Sequence, residues 1–252
     1  MFQKIIENAG TLASVIIFAS IFFAGIRWRV IYEKQKGYRR IVSFSAGIAI
    51  AYVFMNFLPE LHAASALFLE YADDQSIPFP QHQVYGASLL GFVLFYGIEY
   101  IADWRPEGRQ KAQVEDPTEK IRFAATIASY SLYAGLICYL LVRSLESGYK
   151  NEIFYTVAMA LHFLSLRYSL WNEYGELFGR LGKNILGLSC LVGWTVAIFL
   201  PLPVTAVIML LGFVSGGIIM STMIAELPQE KEGRFTYFFM GAVFYAGLLV
   251  SI

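Results

Sequence analysis

A polar stripe follows one face of the most polar hydrophobic segment in this chain. Its members recur every three or four residues: His162, Ser165, Ser169, Glu173 and Glu176. At about 100° per residue, such positions share one side of a helix. Imidazoles and carboxylates bind divalent metals, and hydroxyls can line an ion path. The stripe therefore predicts either a path through the membrane or hydrogen bonds that hold helices together.

The preceding hydrophobic segment carries a second stripe, made of hydroxyls without charge. Polar groups at membrane depth are costly unless they have a partner or a function. Two facing stripes predict a lined path, and interhelical hydrogen bonding remains the alternative. The path-lining candidates are Thr126, Ser129, Tyr130, Tyr133, Ser165 and Ser169.

Two prolines lie close to further ionisable residues in two other segments. Pro59 removes a backbone donor and its ring presses on the carbonyl of Met55, so we expect a bend that exposes this carbonyl to a cavity. Ionisable side chains lie within three residues of both prolines: Glu60 and His62 near Pro59, and Glu226 and Glu230 near Pro228. The nearby carboxylates either form vestibules at opposite ends of one path or cap helices in water. The candidate metal ligands of the chain are Glu60, His62, His162, Glu173, Glu226 and Glu230.

These two proline segments are related by an internal repeat. A single offset of 169 places Gly47 on Gly216 and Pro59 on Pro228. Each glycine ends a small-xxx-small pattern, which allows close helix contact. Repeats of opposite orientation build many transporters. We therefore predict that spans 1–3 superpose on spans 6–8 after inversion.

The elements that carry these residues are predicted to be membrane helices. The chain is 57% hydrophobic and 15% charged, far from a soluble balance. This composition predicts an all-α bundle of about eight transmembrane helices in a single domain, 1–252. A net charge of zero gives no reason to expect a nucleic-acid partner. The predicted spans are 9–31, 41–69, 82–104, 121–143, 152–175, 182–200, 203–227 and 235–252.

Basic residues predict the orientation of the bundle. Alternate loops hold fifteen of the nineteen Lys and Arg residues, and such loops face the cytoplasm. Both termini should therefore lie on the non-cytoplasmic side, in the inner membrane if the source is a bacterium. The bilayer is the expected partner, and a homodimer or a larger membrane complex is a candidate assembly.

Arg167 is predicted to lie within the membrane, where its guanidinium cannot lose its proton. It therefore needs a carboxylate, carbonyls or an anion. A structural ion pair is the favoured role, and its candidate partners lie on other spans: Glu60, Glu99 or Glu226, or the carbonyls at a helix end.

No enzyme is expected from this sequence. It lacks a Ser/His/Asp set, a His-Glu-x-x-His run and a dense acidic metal cluster. Cys138 and Cys190 lie in different spans, and we interpret them as small buried apolar residues. No cofactor is predicted, apart from a divalent metal ion as cargo.

Taken together, these features resemble the ZIP (Zrt/Irt-like) family of divalent-metal transporters. The resemblance rests on the eight predicted spans, on the basic first loop and on two Leu-Pro motifs. These motifs are Leu58-Pro59 and Leu227-Pro228. The family binds metal through His-Asn-x-x-Asp-Gly in the fourth span and His-Glu-x-Pro-His-Glu in the fifth. In this chain only Gly135 matches the first motif and only His162 matches the second, while Arg167 takes a glutamate position.

Two functions follow from the resemblance. The first is a ZIP-like multi-pass transporter for a divalent metal or another small solute, with the binuclear metal site largely lost. The alternative is a non-transporting ZIP-like membrane subunit with an assembly, scaffold or regulatory role. A water-filled cavity between spans two, four, five and seven would favour transport, whereas side chains that fill this space would favour the subunit.

Overall fold

The structure is a computed structural model that describes residues 9–24, 38–72, 82–103, 117–143, 149–225 and 235–250. All regular secondary structure in these ranges is helical, which confirms the all-α prediction. The α-helices are α1 (Ala9–Phe23), α2 (Tyr38–Tyr52), α3 (Leu58–Ala72), α4 (Gln83–Asp103), α5 (Pro117–Arg143), α6 (Tyr149–Leu177), α7 (Lys183–Phe199), α8 (Val204–Ala225) and α9 (Phe235–Val250).

Four helical stretches are long and apolar enough to cross a membrane: Ser43–Tyr71, Glu119–Arg143, Tyr155–Phe199 and Val204–Ser221. Crossing the hydrocarbon core takes about 20 helical residues. Two shorter apolar helices, Ala9–Phe23 and Phe235–Leu249, accompany them. Many large apolar side chains of these helices point outward, where lipid would replace water. These are the properties of a multi-pass helical membrane protein.

A π-helical turn lies just before Pro59, where the sequence predicted a bend and an exposed carbonyl. Residues Val53–Phe57 form this turn between α2 and α3, and the N–H of Leu58 bonds to the carbonyl of Val53. In a regular α-helix the Pro59 ring would collide with the carbonyl four residues earlier. The wider turn relieves this crowding and lets the chain continue as a helix. The matching Pro228 lies outside the described residues.

The connection from α6 to α7 differs from the predicted loop. Spans 152–175 and 182–200 were expected to be separated by a turn, but the residues from 176 to 199 are all helical. A single residue, Gly175, breaks the helix with φ 51° and ψ −118°. Glycine adopts this positive φ without a steric cost, whereas residues with a Cβ are strained there. The hydrophobic pattern located both segments but missed how little chain separates them.

Helices α4 and α8 pack with their backbones in direct contact. A methyl group placed on Gly91 would lie 2.0 Å from the Phe213 carbonyl oxygen, and one on Gly216 would lie 1.8 Å from the Ser88 carbonyl oxygen. Both distances are far shorter than any real contact. The pair is therefore possible only because glycine occupies both positions.

Helices α2 and α9 form a second pair of the same kind. A methyl group on Gly47 would lie 2.0 Å from the Phe238 carbonyl oxygen, and one on Gly241 would lie 2.1 Å from the Phe44 carbonyl oxygen. The remaining helices complete the bundle, since α1 packs on α6 and α7, α5 packs on α7, and α6 lies against α2. This packing places α5 and α6, which carry the two predicted stripes, inside the bundle.

Candidate functional site

One face of α5 carries a row of hydroxyls that bond to neighbouring helices. Thr126, Tyr130 and Tyr133 are spaced by four and three residues, so they share one side of the helix. The Thr126 hydroxyl lies 2.8 Å from the hydroxyl of Tyr174 on α6. The Tyr130 hydroxyl donates to a carboxylate oxygen of Glu99 on α4. We call this row, Thr126, Tyr130 and Tyr133, the α5 seam.

The deepest contact of the α5 seam joins the two predicted stripes. The Tyr133 hydroxyl lies 3.0 Å from Nε2 of His162 on α6, and 3.5 Å from the Ser221 hydroxyl on α8. Tyr133 is 1% exposed and His162 is 2% exposed. Buried polar groups need hydrogen-bond partners, and here the two stripes supply partners to each other.

Aromatic rings surround this contact. Phe95 lies 4.9 Å from the Tyr133 ring between centroids, and Tyr133 meets the His162 ring edge-on at 5.9 Å. A gap next to His162 is too small to admit a water molecule, and it is lined by Ala49, Tyr52, Val53, Ala158, Met159, His162 and Ile218. This gap therefore offers no room for a hydrated ion beside His162.

The other ligand candidates do not gather around His162 in the described part of the chain. His62 is exposed on α3, where Nδ1 lies 3.1 Å from the hydroxyl of Tyr85. Glu60 is half-buried in the first turn of α3 and interacts electrostatically with Tyr52. Glu173 is half-buried near the end of α6. Glu226 and Glu230 lie outside the described residues.

Among the described residues, no group of three His, Cys, Asp or Glu side chains is arranged to hold a metal ion. A dication such as zinc needs imidazole or oxygen ligands with compensating negative charge. The contact between Tyr133 and His162 offers one imidazole and neutral hydroxyls instead. Its chemistry is that of a hydrogen-bonded link between helices.

The serines predicted to line a path differ from the tyrosines. The Ser129 hydroxyl donates to the Ala125 carbonyl of its own helix at 2.9 Å, so it does not take part in the α5 seam. Ser165 and Ser169 are half-buried on α6. A serine hydroxyl reaches its own helix backbone easily, whereas a tyrosine reaches across to the next helix.

Arg167 caps the end of another helix. Its guanidinium donates to the carbonyl of Ala24, directly after the last residue of α1. Helix C-termini carry unpaired carbonyls and a partial negative charge, so a guanidinium stabilises them. Helix-end carbonyls were one of the alternatives that the sequence left open. Arg143 of α5 makes the same contact with the Ala197 carbonyl, near the end of α7.

Sequence reasoning did not assign Tyr174 and Ser221 to the α5 seam, and it named Glu99 only as a candidate partner of Arg167. Glu99 lies four residues before the end of α4. A carboxylate within a membrane helix indicates by itself that a polar partner or a function is present. Tyr174 and Ser221 carry no such signal, because tyrosine and serine are frequent near the ends of membrane helices. Only the packing of α6 and α8 against α5 identifies them.

The chain was compared with protein-family models, with curated proteins and with solved structures, and none of them matches it.

Proposed function

We propose that this chain is a non-transporting membrane subunit with ZIP-like architecture, in which direct side-chain contacts replace the central metal site. The observation that carries the proposal is the buried 3.0 Å hydrogen bond between Tyr133 and His162. By the resemblance, His162 lies at a metal-ligand position of the fifth span, and Tyr133 lies one residue before the aspartate position of the fourth span. A link between the two helices takes the place of an ion there.

The glycine contacts support an inverted repeat of eight spans. The offset of 169 that relates Gly47 to Gly216 also relates Phe44 to Phe213. In each copy the phenylalanine carbonyl oxygen lies against a glycine of the partner helix, Gly241 in one copy and Gly91 in the other. The two partner glycines are 150 residues apart. The pair α2–α9 thus repeats the pair α8–α4, as expected if spans 1–3 are related to spans 6–8.

The arginine caps add a second, independent line of support. An inverted repeat exchanges α1 with α7 and α5 with α6. Arg143 of α5 caps the end of α7, and Arg167 of α6 caps the end of α1. When α5 is replaced by α6 and α7 by α1, the contact between α5 and the end of α7 becomes the contact between α6 and the end of α1. Because α1 and α7 are equivalent in this scheme, the two guanidinium groups would lie near opposite faces of the membrane, where both can reach water.

The surroundings of His162 favour the subunit over a metal transporter. Transport needs an ion to shed water into a site that offers compensating charge. The gap next to His162 is too small to admit a water molecule, and the hydrogen bonds of Tyr133 to His162 and Ser221 include no carboxylate. The hydroxyl of Tyr133 joins three helices through His162 and Ser221, and buried polar links of this kind suit a rigid bundle.

Zinc uptake by proteoliposomes tests this proposal. We expect wild-type vesicles to take up no more zinc than protein-free vesicles, and purified protein in zinc to hold no ion at the α5–α6 contact. The variant His162→Ala would then leave both measurements unchanged. Uptake that depends on wild-type protein and is lost in His162→Ala would overturn the proposal. Native mass spectrometry from nanodiscs would report the homodimer or larger complex that a subunit forms.

A second candidate is a transporter for a small solute other than a metal, favoured by the π-helical turn Val53–Phe57. Such turns are frequent at functional sites. Within the described part of the chain, Asn56 Oδ1 in this turn is buried without a hydrogen-bond partner. An unsatisfied amide oxygen inside a membrane helix is a position where a substrate donor could bind. Solute-driven swelling of the same proteoliposomes, reduced by Asn56→Leu, would favour this candidate.

A further inference from the structure

The π-helical turn before Pro59 leaves a backbone carbonyl without its helical donors. The carbonyl of Phe54 would accept from the N–H of Leu58 in an α-helix, and from the N–H of residue 59 in a π-helix. The N–H of Leu58 bonds to the carbonyl of Val53 instead, and Pro59 has no N–H. The helix therefore offers the Phe54 carbonyl neither of these donors.

This carbonyl lies deep within an apolar stretch and on the outer side of the helix. Phe54 belongs to the 29-residue stretch Ser43–Tyr71 and is well removed from both of its ends. A helix carbonyl points toward the residue four positions further on, so that of Phe54 lies beneath Leu58. The side chain of Phe54 is 63% exposed and that of Leu58 is 38% exposed. The described helices therefore leave this side of the turn open to lipid.

The hydrocarbon of a bilayer contains no water, so a carbonyl without a donor is costly there. Membrane helices that contain proline bond such a group through a hydroxyl of the same helix or through a neighbouring helix. The exposed side chains on this side of the turn have no N–H or O–H group, and they are those of Phe54, Met55, Leu58 and Pro59. We call these four residues the π-turn face. Its missing donor has to come from another molecule.

We propose that the π-turn face docks a transmembrane helix of a different membrane protein, which donates a hydrogen bond to the Phe54 carbonyl. A second copy of this chain that used the same face would bring no donor, because an isologous contact sets the face against itself. Acyl chains of lipids bring none either. The chemistry fits an apolar helix that carries one Asn, Gln, Ser or Thr at the depth of Phe54.

The side chains of the π-turn face would supply the packing around this bond. Phe54 and Met55 are both exposed, and methionine adapts its shape to an irregular partner surface. Helix association in lipid depends on such packing together with hydrogen bonds between helices. The inference rests on the proposed subunit role, since an assembly subunit needs a partner surface within the membrane.

A designed transmembrane peptide serves as the probe. It is a polyleucine helix of about 20 residues with a single central asparagine, and its control has leucine at that position. Energy transfer between dyes on the peptide and on the full-length protein reports binding in proteoliposomes. We expect the asparagine peptide to bind about threefold to thirtyfold more tightly than the leucine peptide, the range for one hydrogen bond between membrane helices. Equal binding of the two peptides would overturn the proposal.

Two variants supply the missing donor from within the helix. Pro59→Ala restores an N–H, so that the Phe54 carbonyl has a donor in either helix geometry. Leu58→Ser places a hydroxyl one turn above this carbonyl, where serine bonds to its own helix. Each variant should remove the preference for the asparagine peptide. A preference that persists in both variants would show that the peptide bonds elsewhere, and would refute the assignment.

Pro203→Ala is the matched control for the proline substitution. Pro203 directly precedes α8, where a missing N–H costs no helical hydrogen bond. This variant should therefore keep the wild-type preference for the asparagine peptide. If Pro203→Ala removes the preference as fully as Pro59→Ala does, the Phe54 carbonyl is not the acceptor.

Two further outcomes would assign the π-turn face to another occupant. If cholesterol in the vesicles abolishes the peptide preference, a sterol hydroxyl is the donor and the docking of a protein helix is refuted. If two differently labelled copies of the protein show energy transfer that Pro59→Ala abolishes, the face belongs to a homodimer. None of these measurements involves His162, so a negative peptide result and zinc uptake that depends on His162 refute different proposals.

Discussion

The contact between α4 and α8 can be tested with glycines that lie on a single helix. In Gly91→Ala the added methyl group would lie 2.0 Å from the Phe213 carbonyl oxygen. Gly97, on the same helix, has no atom within 4 Å of the methyl position. The two substitutions are chemically identical and differ only in whether a neighbouring backbone is present. Gly97→Ala is therefore the matched control.

The size of the effect follows from the geometry. Ordinary van der Waals contact begins near 3.4 Å, so α8 must move away by about 1.4 Å to admit the methyl group. A gap of even 0.5–1 Å loses roughly a quarter to a half of the dispersion attraction between the separated atoms. Overpacking of this kind costs about 1–3 kcal/mol. In Gly97→Ala the replacement of glycine within a helix instead gains about 0.5–1 kcal/mol.

Thermal unfolding in detergent, followed by the fluorescence of a thiol-reactive dye at the buried cysteines, would compare both variants with wild type. We expect Gly91→Ala to melt at a clearly lower temperature and Gly97→Ala to melt at the wild-type temperature or above it. If Gly91→Ala is as stable as Gly97→Ala, the backbone contact between α4 and α8 does not exist in the folded protein. If an inverted repeat is present, Gly241→Ala should match Gly91→Ala in its effect.

Three further outcomes are expected. Tyr133→Phe leaves the buried His162 without the hydroxyl that it contacts, so it should lower the free energy of unfolding by about 1–3 kcal/mol in a chemical-denaturation experiment; an unchanged stability would contradict the contact. Arg167→Met removes the cap on α1 and should lower the melting temperature, whereas Arg167→Lys should recover part of the loss, because an ammonium also stabilises a helix C-terminus. For topology, single cysteines at Lys36 and Asp74, introduced in a chain whose native cysteines are serine, should react with an impermeant maleimide from opposite sides of the membrane; labelling from one side would rule out the predicted orientation.

Much of the fold was predictable from local properties of the sequence. The predicted span 82–104 corresponds to α4 (Gln83–Asp103), and span 203–227 corresponds to α8 (Val204–Ala225). The signal is local because a helix in lipid must satisfy its own backbone and present about 20 apolar residues. The π-helical turn before Pro59 was not predicted, and the predicted bend stays a prediction. The count of eight spans and their orientation remain predictions.

The candidate site was predictable only by residue type. The spacing of Thr126, Tyr130 and Tyr133 placed these hydroxyls on one face of α5, and the structure gives each of them a partner. The spacing could not tell a path from a set of interhelical links, because both use the same periodicity. The distinction depends on what lies opposite each hydroxyl, and those partners come from three different helices.

The sequence by itself determined which stretches of this chain are helical and apolar, because those properties depend on neighbours within a few residues. Only the tertiary structure decided that Tyr133 contacts His162, and that a positive φ at Gly175 interrupts the helix between α6 and α7. The physical reason is that all lipid-facing surfaces are equally apolar, so hydropathy does not select which helix faces meet. That choice depends on where glycine lets two backbones touch.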